Sequence, residues 1–315
     1  MKTTTHAPVL ITGATSGLGR RCAFELARRG RPVLVGGRRA DAVDATCAAI
    51  VADGGAAAPF VADLSRLESV RAAMRTLGEA PLHGIVANAG VSTLRDQRSG
   101  DGFELTFAVN VLAHQLLLVG LADQLETGGR VVVVSSGVHD PNNRLARRAG
   151  IPTPNWVGTR YLARPDEAPA SKRIEDGKMR YATSKLGNVL QARGLSARLR
   201  SAGRSVDVFA VDPGLMVDTR LARELPRLAV AVFRLVGRMA TPFVDNMRLS
   251  PVSARHIASL IEDGAWRGRG FAYLDGDRVQ PPSPDALRDD LVDALWTEAN
   301  RLVGLRPADT SLPIV

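Results

Sequence analysis

Short apolar runs alternate with stretches of helical period through the first two-thirds of the chain. Val9-Leu10-Ile11-Thr12 is the first run, and it passes through glycines into a helical pattern that reaches Arg29. Pro32 to Gly36 predicts a second strand, Ala40 to Ala52 a helix, Pro59 to Ala62 a third strand and Leu67 to Leu77 a helix. Gly84 to Ala87 predicts a fourth strand, Val109 to Leu125 a long buried helix and Val131 to Val134 a fully apolar fifth strand. Met179 to Leu199 is helical in period, and Val206 to Val211 predicts a sixth strand. Strands that are apolar throughout, rather than alternating, are buried on both faces. With helices between them they imply an α/β fold: a doubly wound parallel sheet of Rossmann type with helices on both faces.

Two regions break this rhythm. Residues 137–178 contain Pro141, Pro152, Pro154, Pro165 and Pro169 and no clear period. So long a connection inside a compact domain predicts a functional insertion, a lid or a pocket wall. Residues 215–250 follow the sixth strand and carry the apolar stretch Leu228 to Phe233, then Leu235-Val236, with Arg234 and Arg238 between and after. Their expected role is a helical substrate-binding lobe with an apolar face. No repeat and no second domain is visible, so residues 1–315 read as one domain.

Composition changes this picture little. With 315 residues, 45% of them hydrophobic, the chain can bury one large core. The net charge is +9, but Lys occupies only positions 2, 172, 178 and 185, so Arg supplies 37 of the 41 basic residues. The arginines are scattered rather than gathered on one predicted element, so a nucleic-acid partner is not expected. Cys22 and Cys47 lack partners at metal-ligand spacing, which predicts buried free thiols, no metal and a reducing, cytoplasmic location. No run reaches the ~20 apolar residues of a membrane span, and no membrane contact is expected.

Candidate chemistry sits in two places. After the first strand the chain reads Gly13-Ala14-Thr15-Ser16-Gly17-Leu18-Gly19 and then opens a helix. Glycines there permit a tight turn and close backbone approach, and the helix N-terminus offers free N–H groups to a pyrophosphate. Downstream, Tyr181 and Lys185 are four residues apart on a predicted helix and so share a face. A Lys ammonium beside a phenol favours the phenolate and lowers the tyrosine pKa, as acid/base catalysis at neutral pH requires. Ser135-Ser136 ends the fifth strand, at the carboxyl edge where such sheets bind ligands. The second strand ends in Gly36-Gly37-Arg38-Arg39 where an NAD-binding chain would place a carboxylate. Arg38 and Arg39 suit the 2′-phosphate of NADP(H).

Taken in order, these motifs resemble the short-chain dehydrogenase/reductase family over about residues 8–220. The resemblance implies an NADP(H)-dependent oxidoreductase that moves a hydride between nicotinamide and a carbonyl or alcohol of a fairly apolar small molecule, with Tyr181 as proton donor. It implies cofactor contacts from Asp63-Leu64 and from Pro213-Gly214, and a sheet-stabilising Asn88-Ala89-Gly90. Thr219, one position later than the family's threonine, is carried as a cofactor contact. It also implies that Lys185 holds the nicotinamide ribose, that Ser136, with Ser135 as the fallback, binds the substrate oxygen, and that Asn110 supports a water-linked proton relay to Lys185. A homodimer or homotetramer is implied too.

Ser136 and Tyr181 are 45 positions apart, much further than is usual in the family. This insertion carries His139, Trp156, Tyr161 and arginines at 144, 147, 148 and 160, and with Tyr181 to Leu190 it is similar to the retinol dehydrogenase and protochlorophyllide reductase branches. Asp212 to Met216 and Leu295 to Leu305 lean to the second. That light-driven branch has a Cys between the Lys and the Asn where this chain has Gly187, so a dark carbonyl reductase or alcohol dehydrogenase is expected. Reduction of an activated C=C bond and a non-catalytic NADP(H)-binding protein stay open as alternatives.

Overall fold

In the computed structural model, which describes residues 6–216 and 247–314, the chain alternates strand and helix from its start. The order is β1 (Val9–Ile11), α1 (Gly17–Arg28), β2 (Val33–Gly37), α2 (Ala40–Ala52), β3 (Ala57–Val61), α3 (Leu67–Leu77) and β4 (Leu82–Ala87). The long helix that follows is composite: α4 (Leu105–Phe107), a π-turn over Ala108–Leu112, and α5 (Ala113–Gly120). Next come β5 (Leu125–Val134), the short α6 (Arg144–Arg148) and α7 (Thr159–Ala163) of the insertion, α8 (Gly177–Ser201) and β6 (Asp207–Asp212). A two-strand pair, β7 (Leu215–Met216) with β8 (Met247–Arg248), leads into α9 (Ser250–Glu262), β9 (Phe271–Asp275), β10 (Arg278–Gln280) and α10 (Asp289–Leu302).

The main sheet has the order β10-β9-β6-β5-β4-β1-β2-β3. Every neighbouring pair is parallel except the edge pair β9–β10. β1 lies between β2 and β4, with Val9 beside both Val33 and Gly84. The chain winds outward from β1 to β3, then returns to build the other half from β4, so a crevice opens at the carboxyl ends of β1 and β4. One face of the sheet is covered by α4, α5, α8 and α10 through residues such as Leu116, Leu186, Leu190 and Trp296. The other is covered by α1, α2 and α9 through Leu18, Leu26, Ile50, Ile257 and Ile261. β1 and the core of β5 are fully apolar because both of their faces lie inside these layers.

Sequence periodicity misplaces several boundaries. The helix expected over Val109–Leu125 begins at Leu105 and ends at Gly120, because Leu125 already starts β5. The insertion expected to be aperiodic contains α6 and α7, and the last fifth of the chain adds α9, β9, β10 and α10 to the sheet and its cover. Cys22 is buried as expected, but Cys47 is only half-buried on α2. The predicted lobe over 215–250, including Leu228 to Phe233, Arg234, Arg238 and Thr219, falls largely outside the described residues.

Candidate active site

The glycine loop leaves β1 and enters α1 with Ser16 as N-cap. Gly17 has φ +56°, a conformation an L side chain rarely adopts. Gly19 has no room for a side chain, since a Cβ there would lie 2.4 Å from Asn88 Nδ2 and 2.5 Å from the Gly13 carbonyl oxygen. Ser16 makes no side-chain cap, and the first turn of α1 has no acid. The positive end of the helix therefore keeps its N–H groups for an anionic ligand. Thr15 packs beneath Gly37, while Leu18 is buried in the core.

Thr12, at the end of β1, ties the loop to β4. Its Oγ accepts from the Asn88 and Ala89 amides, each at 2.9 Å, and Asn88 Nδ2 donates to the Thr12 carbonyl at 2.8 Å. Gly90 follows, near both Asn110 and Lys185: a Cβ there would lie 3.3 Å from Asn110 Oδ1 and 3.7 Å from Lys185 Nζ. After β3, Asp63 Oδ1 accepts from the Ser65 amide and hydroxyl at 3.0 and 2.7 Å, which fixes the turn that carries Leu64. After β2, Arg38 is exposed and has no carboxylate partner among the described residues, whereas Arg39 lies 3.6 Å from Asp41. After β6, Asp212 Oδ1 accepts from the Gly214 amide at 2.9 Å, and the Pro213 carbonyl accepts from Ser253 at 2.7 Å.

Ser136, Tyr181 and Lys185 converge at the ends of β5 and β6. The Ser136 side chain is close enough to the Tyr181 phenol to act against the rise in its pKa. The neighbouring Ser135 is committed elsewhere, donating to the Lys185 carbonyl at 2.8 Å. Lys185 Nζ lies 5.7 Å from the Tyr181 ring centroid and donates to the Val134 carbonyl at 2.9 Å and to Asn188 Oδ1 at 3.1 Å. Burial drives the Lys185 pKa down to about 8, against the pull of Asp212 in the other direction. Burial and then the Asp212 charge push the Tyr181 phenol up to about 12, with the Ser136 side chain acting the other way. The expectation that Lys185 draws this phenol down is corrected here: its ammonium is turned to Val134 and Asn188, and desolvation outweighs it.

Asn110 sits in the π-turn, a local widening of the helix often found at functional sites. Its side chain donates to Ser184 Oγ at 2.9 Å and the Val91 carbonyl at 3.0 Å, and accepts from the Val91 amide at 2.8 Å. It thus braces the segment after β4 rather than pointing at Lys185. Four residues to which the sequence alone assigns no role shape the site. Asn188 is three positions after Lys185 and seven after Tyr181, a spacing that puts all three on one helical face and could have revealed it. Asp212 is a buried carboxylate beside the acid/base pair. His114 bridges Thr12 and the Asn110 carbonyl. His139 Nδ1 bonds the Ser136 carbonyl at 2.9 Å, and its Nε2 accepts from the Ser283 amide at 3.2 Å, so it anchors the serine turn to the C-terminal segment.

Known proteins share the sequence pattern and the fold. A sequence model of the short chain dehydrogenase family matches residues 7–145. Retinol dehydrogenase 13 of Mus musculus is 33% identical over 312 residues, covering 96% of this chain and 85% of the relative. An uncharacterized protein of Mycobacterium paratuberculosis superposes with a TM-score of 0.67 at 26% identity, over 96% of this chain and 97% of that one. A short chain dehydrogenase of Burkholderia cenocepacia, solved with NADP, superposes with a TM-score of 0.60 at 24% identity, over 86% of this chain and 96% of its own. The full-length match and the shared fold place this chain in the short-chain dehydrogenase/reductase family of oxidoreductases, in its retinol dehydrogenase-like branch.

Proposed function

We propose that the chain is an NADPH-dependent reductase of a carbonyl on a fairly apolar small molecule, with Tyr181 as the proton donor. The observation that carries this reading is the convergence of Ser136, Tyr181 and Lys185 at the carboxyl edge of the sheet, with Lys185 Nζ 5.7 Å from the Tyr181 ring centroid. A substrate oxygen that meets both hydroxyls is held on one side by Ser136 and protonated on the other by Tyr181. A phenol held at about 12 stays protonated at neutral pH and can serve as the donor. The Asp212 charge disfavours the phenolate, and the Lys185 ammonium, 5.7 Å from the Tyr181 ring, would offset it as the phenolate forms.

The residues present fit NADP(H). The uncapped N-terminus of α1 and the close packing at Gly19 suit a pyrophosphate, and Arg38, exposed and without a carboxylate partner among the described residues, would meet a 2′-phosphate. Asp63, Leu64, Asn88 to Gly90, Pro213 and Gly214 line the same edge and complete the proposed contacts. The bound nicotinamide supplies the hydride. The Burkholderia neighbour holds NADP, which agrees with this assignment. The relatives' name points to a retinoid-like alcohol or aldehyde as the substrate class. The insertion serves as a wall of the site: Trp156 stacks edge-on against Phe107 at 6.2 Å and covers Gly187 of α8.

The test is NADPH oxidation in the dark against ketones, quinones, enones and aldehydes that include all-trans-retinal, with Tyr181→Phe as control. Turnover by the parent, with at least a hundredfold loss in the variant at unchanged NADPH affinity, is the expected result. Residual activity within tenfold of the parent would remove Tyr181 from its role.

A further inference from the structure

Lys185 and the Asn110 carbonyl are joined by a side chain. Asn188 Oδ1 accepts from Lys185 Nζ at 3.1 Å, and Asn188 Nδ2 donates to the Asn110 carbonyl at 2.6 Å. Only this orientation of the amide works, because the reverse would set an NH2 against an ammonium and an oxygen against a carbonyl. Asn188 is 2% exposed and Asn110 fully buried, so the bridge is shielded from solvent.

The Asn110 carbonyl has a second partner. His114 Nδ1 lies 3.2 Å from it, and His114 Nε2 lies 2.9 Å from Thr12 Oγ. The Thr12 oxygen already accepts two amide N–H groups, so its own proton goes to Nε2, and the His114 proton is therefore on Nδ1. A carbonyl oxygen has two lone pairs, and at Asn110 both are taken. No position is left there for the bridging water that the family resemblance implies.

We propose that Asn188 is a positioning residue that replaces this water, fixing the Lys185 ammonium while closing the water-linked route behind it. The inference rests on the reading of Tyr181 and Lys185 as the proton-transfer pair. A carboxamide does not take up a proton on oxygen and release another from nitrogen as readily as water passes protons along. Lys185 thus works as a fixed charge, with Val134 and Asn188 holding two of its three N–H donors. The phenol proton of Tyr181 goes to the substrate oxygen, and the resulting phenolate regains a proton from solvent on the open side of the cleft.

The test compares Asn188→Ala with Asn188→Leu, crystallised with NADP+ and assayed when loaded with NADPH. Removing the carboxamide opens space between two polar partners, the setting a buried water needs, whereas Leu fills that space without a polar atom. Crystal structures of the parent complex are expected to show no water touching both Lys185 Nζ and the Asn110 carbonyl, and the Ala variant to show one. In single-turnover reduction of all-trans-retinal, the parent rate should vary linearly with D2O fraction, reporting one proton in flight. The Ala variant should show a curved dependence, and the Leu variant should be at least tenfold slower than Ala. If Asn188 served packing alone, the order would reverse, since Leu preserves volume and Ala leaves a cavity. That reversed order, or a water bridging Lys185 and Asn110 in the parent, would overturn the proposal. A parent that binds NADP+ yet leaves retinal untouched counts against the substrate reading, and the crystal structures then decide this one alone.

Discussion

Two side chains at this site have opposite prospects under titration. Lys185, with its pKa brought down to about 8, loses its proton as pH rises through that value. The positive charge that stabilises a nascent phenolate goes with it, so reductive kcat/KM should fall above about pH 8. A profile flat to pH 10 would show that the Lys185 charge does not contribute. Tyr181, at about 12, stays a phenol across that range and cannot produce the same limb. Cofactor choice is also set by single residues. Arg38 is exposed and unpaired by any carboxylate among the described residues, so Arg38→Asp should disturb nothing in the fold. It should weaken NADPH binding by at least tenfold, through loss of a charge-assisted contact to the 2′-phosphate, and strengthen NADH binding. Fluorescence titration with both cofactors reads both effects, and two unchanged dissociation constants would remove Arg38 from the phosphate site.

Among the elements, α8 carries most of what positions the chemistry, and it shows why some of the site was legible in the sequence. Tyr181 and Lys185 are one helical turn apart, so their common face follows from spacing alone. Ser136, the glycine loop and Asn88-Ala89-Gly90 follow strands, and strand ends are where apolar runs stop. The direction of the Lys185 ammonium was not legible, because it depends on the Val134 carbonyl and on Asn188, partners set by tertiary packing. Nor was the π-turn at Asn110, since an apolar helix of any winding has the same composition. The packing of the insertion on α8 explains Gly187. A Cβ there would meet Val111 Cγ2 at 3.0 Å and the Trp156 ring at 3.5 Å. Val in place of a mid-helix glycine gains only about 0.3–0.5 kcal/mol of helix propensity, while overpacking costs about 1–3 kcal/mol. Val111 is fully buried and cannot retreat, so the second effect should win for Gly187→Val. Urea unfolding should show a net loss of about 1–2 kcal/mol, and tryptophan emission should shift red as Trp156 lifts. An unchanged midpoint and spectrum would mean that the insertion does not rest on α8.

At the scale of the whole molecule, buried polar links fasten parts of the chain that are far apart in sequence. Gln191 donates to Gln115, Gln115 to Asn300, and Asn300 to the Ile314 carbonyl, which joins α8, α5, α10 and the C-terminal segment. Trp296 adds a bond to the Pro313 carbonyl. Beyond Thr219 the motifs yield only the likeness at Leu295 to Leu305, and the described residues 247–314 mainly extend the sheet and its cover. Among the described residues, no helix is long and apolar enough to cross a membrane. Two of these fasteners are histidines that must stay neutral. His114 links the end of β1 to the π-turn, and His139 links the serine turn to Ser283. Burial lowers both pKa values, that of His114 from 6.5 to about 4. Between those two pH values the unfolded chain binds a proton at His114 that the folded chain refuses. Stability from this group is therefore complete above about pH 6.5 and is lost as pH falls toward 4, by on the order of 3 kcal/mol. Glu104 works the other way, since burial raises its pKa and protonation suits the fold as pH falls. The slope of the parent alone therefore cannot assign the effect; a difference between variants can. His114→Gln, which can still donate to Asn110 and accept from Thr12, should be less stable than the parent at pH 7. It should lose less stability than the parent between pH 6.5 and 4.5, so the two urea midpoints draw together on acidification. Midpoints that stay a constant distance apart across that window would show that His114 does not titrate with unfolding.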